Sequence, residues 1–121
     1  MEQNELTRLE ELDDTEQLAL GGLIRVLIRL DGSFSEEEES YLEELGNDLG
    51  TAEDLWKVIS RSAQEHANDD AIRTAARGVS RKPAQRLIRT ALERVAIAGT
   101  IEPAERALLE WVDDAWGLSA D

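Results

Sequence analysis

The stretch Leu27-Ile28-Arg29-Leu30-Asp31-Gly32-Ser33-Phe34-Ser35-Glu36-Glu37-Glu38 decides the fold. An apolar run ends on an Asp-Gly pair, and an acidic run starts a few residues later. Gly32 is suited to a positive φ, so Asp31 to Phe34 is expected to be a turn. Ser35 stands three residues before Glu38, the spacing of a capping box that opens a helix. Upstream, Leu20, Leu23, Ile24, Leu27 and Ile28 follow the 3.6-residue period, which predicts a helix from about Thr15 to Leu30 with Thr15 as its cap. Gly21 and Gly22 each weaken that helix by about 1 kcal/mol relative to Ala, so close packing against a neighbour is expected to compensate. Downstream, Tyr41, Leu42, Leu45 and Leu49 form an apolar stripe, and Gly50 stops the second helix.

The rest of the chain reads the same way. Thr51 and Asp54 start a third helix with Leu55, Trp56, Ile59 and Ala63 on its buried side. Asn68 caps a short fourth helix carrying Ile72, Ala75, Ala76 and Val79. A fifth starts near Ser80 to Pro83, and its stripe is Ala84, Leu87, Ile88, Ala91, Leu92 and Val95. After a turn at Gly99-Thr100-Ile101-Glu102, Pro103 opens the last helix. Its stripe is Ala104, Ala107, Leu108, Trp111, Val112, Ala115 and Trp116, ended by Gly117. Residues 1–13 read as a weak helix or a flexible acidic arm. No stretch alternates as a strand would. The expected fold is all-α, a bundle of about six helices in one domain over residues 14–121.

A shift of 67 residues superimposes two helical hairpins. Leu30-Asp31-Gly32-Ser33-Phe34 falls on Ile97-Ala98-Gly99-Thr100-Ile101, Glu38 falls on Glu105, and Gly50 falls on Gly117. Tyr41, Leu42, Leu45 and Leu49 fall on Leu108, Leu109, Val112 and Trp116. Two related hairpins around a pseudo-twofold axis, sharing one core, are the expected architecture.

These residues resemble the TerB-like domains, the helical family named for tellurite-resistance proteins and shared with the N-terminal region of DjlA co-chaperones. The first hairpin carries the family's Asp-Gly-x-hydrophobic-x-x-x-Glu turn. The second, Ala96-Ile-Ala-Gly-Thr-Ile-Glu-Pro-Ala-Glu105, is similar to the family's second copy with its Pro-x-Glu helix start. The resemblance covers about residues 15–118. It implies two pseudo-symmetric helical halves, a role in tellurite and chemical-stress response, proposed metal sensing through acidic residues, assembly with partners near the membrane, and no enzymatic activity. Ala98 stands where the second copy commonly has Asp, so a metal role would rest on Asp31 and the first hairpin.

Composition narrows the function classes. The 121 residues include 27 Asp+Glu, 13 Lys+Arg, one His and no Cys, for a formal net charge of −14. Without cysteine there is no disulfide framework, thiolate metal site or Cys nucleophile. One His excludes a multi-histidine zinc site in a single chain. No apolar run reaches the roughly 20 residues of a membrane span. The acidic start, Met1-Glu2-Gln3-Asn4-Glu5, is unlike a secretory signal, so a cytoplasmic location is expected.

The charge is unevenly placed. Residues 1–55 carry 17 acidic and 3 basic side chains, whereas residues 72–94 carry one acidic and seven basic ones. The whole chain should repel nucleic acid and anionic lipid. The basic segment reads either as arginines paired with acidic helices of the same fold or as a patch for an acidic partner.

Two candidate sites follow. Asp31 and Glu38, with Glu36, Glu37 and Glu39 beside them, form an oxygen-rich turn that could hold a divalent cation, the only cofactor considered. The plainer reading is that the glutamates favour the helix N-terminus by about 0.3–1 kcal/mol each. Asp13, Asp14 and Glu16 divide between the same two readings. An EF-hand is excluded: with Gly32 at loop position 6, positions 1 and 3 are Leu27 and Arg29, neither of which supplies a carboxylate. The second candidate is a partner-binding set of Arg73, Arg77, Arg81, Arg86 and Trp116. Arg73, Arg77 and Arg81 have four-residue steps, although Ser80 and Pro83 interrupt the helix. Trp116 is either core or partner-facing. His66 is expected at a helix C-terminus, and Asp113 and Asp114 are expected to be solvated. No phosphate loop, nucleophile elbow or His-Glu-x-x-His helix is present. The expected function is a non-enzymatic interaction module docking onto a protein partner in a bacterial stress or defence system. The alternative is a divalent-cation sensor at the first turn. Self-association stays open.

Overall fold

The computed structural model describes residues 6–31, 36–66, 68–97 and 102–118, with the side chain of Asp31 outside the description. Six α-helices follow a single 3-10 turn at Leu9–Glu11. They are α1 (Asp14–Asp31), α2 (Glu36–Leu49), α3 (Ala52–Glu65), α4 (Asp69–Arg77), α5 (Lys82–Ile97) and α6 (Pro103–Trp116). No strand occurs among the described residues. The all-α bundle expected from periodicity is the observed fold. The turns at Gly32 to Ser35 and Ala98 to Ile101, including the Ser35 cap, lie outside the described residues.

Helix α1 is the centre of the bundle and packs on α3, α4, α5 and α6. Ala19, Leu20, Leu23, Ile24 and Leu27 are fully inaccessible. Burial runs around the helix: Leu18, Gly21, Gly22 and Val26 are buried as well. A one-sided stripe was the expectation, but a central helix surrounded by neighbours is apolar on every side. Gly21 and Gly22 are where those neighbours come closest. A Cβ at Gly21 would lie 2.9 Å from the Val58 carbonyl oxygen, and one at Gly22 would lie 2.9 Å from Ile72 Cγ1 and from Ser62 Oγ. The glycines let α3 and α4 seat against α1 at backbone distance.

The start of α1 differs from expectation. Asp13, not Thr15, is the cap: the Glu16 backbone N–H donates to Asp13 Oδ1 at 2.9 Å. The Asp13 N–H donates back to Glu16 Oε1 at 2.8 Å, which is a reciprocal capping box. Residues ahead of it lie along the core, with Leu9 and Leu12 each only 4% exposed. The other caps are as read: Thr51 accepts from the Asp54 N–H at 3.0 Å, and Asn68 accepts from the Ala71 N–H at 2.9 Å. Gly117 closes α6 in the left-handed region at φ 66, where glycine carries no Cβ penalty.

The two hairpins pack as a twofold exchange requires, α2 on α5 and α6 on α1. Leu42, Leu45 and Leu49 are buried, and so are their counterparts Leu109, Val112 and Trp116. The copies diverge at Tyr41, which is 49% exposed where Leu108 is 2% exposed. Four alanines assigned to the stripes, Ala63, Ala104, Ala107 and Ala115, are exposed. Ser62 is buried and Ala63 exposed on α3, and Glu105 is buried while Ala104 and Ala107 are exposed on α6. Small residues carry too little apolar area to set a helix's rotation, so larger neighbours decide it.

Candidate functional site

The basic segment divides into cations held by the fold and cations turned outward. Arg81 lies between α4 and α5 and reaches the start of α1. Its Nε and Nη2 donate to Glu16 at 2.8 Å and 2.5 Å, and Nη2 also donates to the Glu11 carbonyl at 3.0 Å. Glu16 is 2% exposed. The Arg81 hydrogen bonds hold its carboxyl below the usual range, against the opposing effect of burial, with help from the Asp13 N–H. The same contact raises the Arg81 guanidinium. Arg89 forks onto Asp113 at 2.7 Å and 3.2 Å and reaches Glu93 at 3.2 Å, so Asp113 is half-buried in a pair and not simply solvated. Arg94 joins α5 to α2 through Asp48 at 2.8 Å. Lys82 donates to the Trp116 carbonyl at the end of α6.

Arg73 and Arg77 are different. They stand one turn apart on α4, and both guanidiniums lie over the ring of Trp111 on α6, at 4.6 Å and 5.2 Å from its centroid. Among the described residues neither has a carboxylate at ion-pair distance. Trp111 is half-buried and packs on the edge of the core. Each such contact contributes about 0.5–1 kcal/mol at an exposed site. The result is an outward-facing basic–aromatic face on a chain of net charge −14.

The structure therefore brings Arg73 and Arg77 together and separates the other members of the expected set. Arg81 is committed to Glu16. Arg86 is exposed on α5 and engaged in a contact of its own. Trp116 is 3% exposed, and its Nε1 donates to the Ala76 carbonyl at 2.8 Å, so it holds α6 to α4 from inside the core. Trp111 was read as a stripe residue, and periodicity alone does not tell it from Trp116. The four-residue step from Arg73 to Arg77 was the one available signal for this face.

Glu38 is partly buried and has a partner, while the side chain of Asp31 lies outside the described residues. No group of three or more His, Asp or Glu side chains converges as a metal site among the described residues. His66 is the C-cap residue of α3: its N–H bonds the Ser62 carbonyl, and its own carbonyl accepts from Arg25 at 3.1 Å. No described helix is long and apolar enough to cross a membrane.

The fold and this face define a class, a helical bundle of two related hairpins with an outward basic–aromatic surface. No family model matches the chain, and no curated protein or solved structure matches it significantly.

Proposed function

We propose that this chain is a non-enzymatic interaction module, similar to the TerB-like domains, that docks through the Arg73–Arg77–Trp111 face onto an acidic segment of a protein partner in a bacterial stress or defence response. The observation that carries the reading is the pair of guanidiniums over one half-buried indole, without a carboxylate partner among the described residues. Aromatic and arginine side chains together are the usual anchors of protein interfaces. The net charge of −14 repels an acidic partner from most of the surface, which favours docking at this face.

The test is binding of a fluorescein-labelled polyglutamate peptide to the wild type and to Arg73→Glu/Arg77→Glu, with melts alongside. The reading expects salt-sensitive binding that the double variant loses while its melting temperature stays within a degree or two. Equal binding by both proteins, or none by either, sinks it. Stabilisation by Ca²⁺ or Mn²⁺ that Asp31→Asn abolishes would move the function to the first hairpin instead.

A further inference from the structure

A cleft of about 510 Å³ lies between the Leu9 turn, the α2–α3 junction and α3. Its apolar floor is the edges of Leu9, Leu49 and Val58, 4%, 4% and 5% exposed, and its cationic lining is Arg8, Lys57 and Arg61. Residues 1–61 hold only five basic side chains, Arg8, Arg25, Arg29, Lys57 and Arg61, and three of the five meet here.

These three are loosely engaged. Arg8 lies 3.5 Å from Glu10, Lys57 lies 3.9 Å from Glu53, and Arg61 lies 3.8 Å from Asp14, all between exposed side chains. By contrast, Arg81, Arg89 and Arg94 sit at 2.5, 2.7 and 2.8 Å from their carboxylates. Exposed pairs at the longer distances contribute little to stability, so the cleft cations can turn to a ligand at small cost. Glu10 and Asp54 also line the cleft, which disfavours a polyanion. A second depression of about 500 Å³, walled by Trp56, shares Lys57 and Arg61. An apolar wall with a few convergent charges is the usual build of a small-molecule site.

We infer that this cleft takes a small amphipathic monocarboxylate. Its carboxylate lies among Lys57, Arg61 and Arg8, and its aliphatic body lies against Leu9, Leu49 and Val58. The inference stands apart from the docking face, with which it shares no residue.

The test is a thermal melt of the whole chain with about 10 mM octanoate, and with acetate and octanamide at the same concentration. The expected result is a rise of several degrees with octanoate alone, as for a ligand well above its dissociation constant. Lys57→Gln/Arg61→Gln loses the rise, and Lys57→Arg/Arg61→Lys keeps it. Lys57→Gln alone weakens it several-fold, and that exposed site carries no risk to folding. No rise with octanoate, an equal rise with acetate, or a rise unchanged in Lys57→Gln/Arg61→Gln overturns the proposal.

Discussion

Arg81 closes onto Glu16 across 65 residues of sequence, with two nitrogens on one carboxylate that is 3% exposed. That carboxylate also completes the cap of α1 by accepting from the Asp13 N–H. One buried charge thus fastens the first turn of the central helix to the junction of α4 and α5.

Acidification should release this contact. A carboxyl whose folded pKa is lowered contributes stability above its ordinary range near 4.5 and loses it as pH falls through the folded value. Glu16→Gln is expected to cost about 1.5–3 kcal/mol at neutral pH. The gap to wild type should shrink as pH falls below the ordinary carboxylate range. Urea melts across that range check it; a gap that does not depend on pH would refute it.

Gly21→Ala should destabilise the fold even though alanine is favoured in a helix interior by about 1 kcal/mol. The new methyl meets the Val58 backbone at 2.9 Å, and backbone cannot swing aside. Overpacking of this kind costs about 1–3 kcal/mol net. A chemical melt showing Gly21→Ala at or above wild-type stability would mean that α1 and α3 separate freely.

Ser62→Ala runs the other way. Ser62 Oγ is buried and has no hydrogen-bond partner among the described residues. Removing an unsatisfied hydroxyl leaves stability unchanged or raises it by about 1 kcal/mol. A clear loss in the melt would show that the hydroxyl has a partner in solution.

Trp116 and Trp111 should respond unequally. Trp116→Phe gives up the bond to the Ala76 carbonyl and opens space in the core, for a loss of about 1–3 kcal/mol. Trp111→Ala removes a half-buried ring and two guanidinium contacts, so its chief effect belongs on acidic-peptide binding. If Trp111→Ala unfolds the protein while Trp116→Phe is silent, the assignment of core and surface is reversed.

The caps at Thr51 and Asn68, the Pro103 start and the Gly117 stop were legible because each is a contact within a few residues. The hairpin repeat was legible because both copies keep Gly and large apolar residues in register. The Glu16–Arg81 pair was not, since local sequence makes Glu16 one more acid at a helix start, and only the packing of α5 beside α1 buries it. Thr15 and Asp13 both have cap-forming side chains at this helix start, and the Asp13-x-x-Glu16 capping-box spacing is the one the structure uses. The basic–aromatic face was half-legible: Arg73 and Arg77 stand out by their step, but Trp111 becomes their platform only when α6 comes to lie beside α4.

The pseudo-twofold relation does not extend to the basic–aromatic face. Shifting back by 67 residues, Trp111 falls on Glu44, an exposed acid on α2. The first hairpin therefore presents a charge where the second presents an indole, and duplication of the scaffold did not duplicate the face. A chain built from two like halves is monovalent at this surface. Under the docking proposed above, one monomer would meet one acidic segment and would not bridge two.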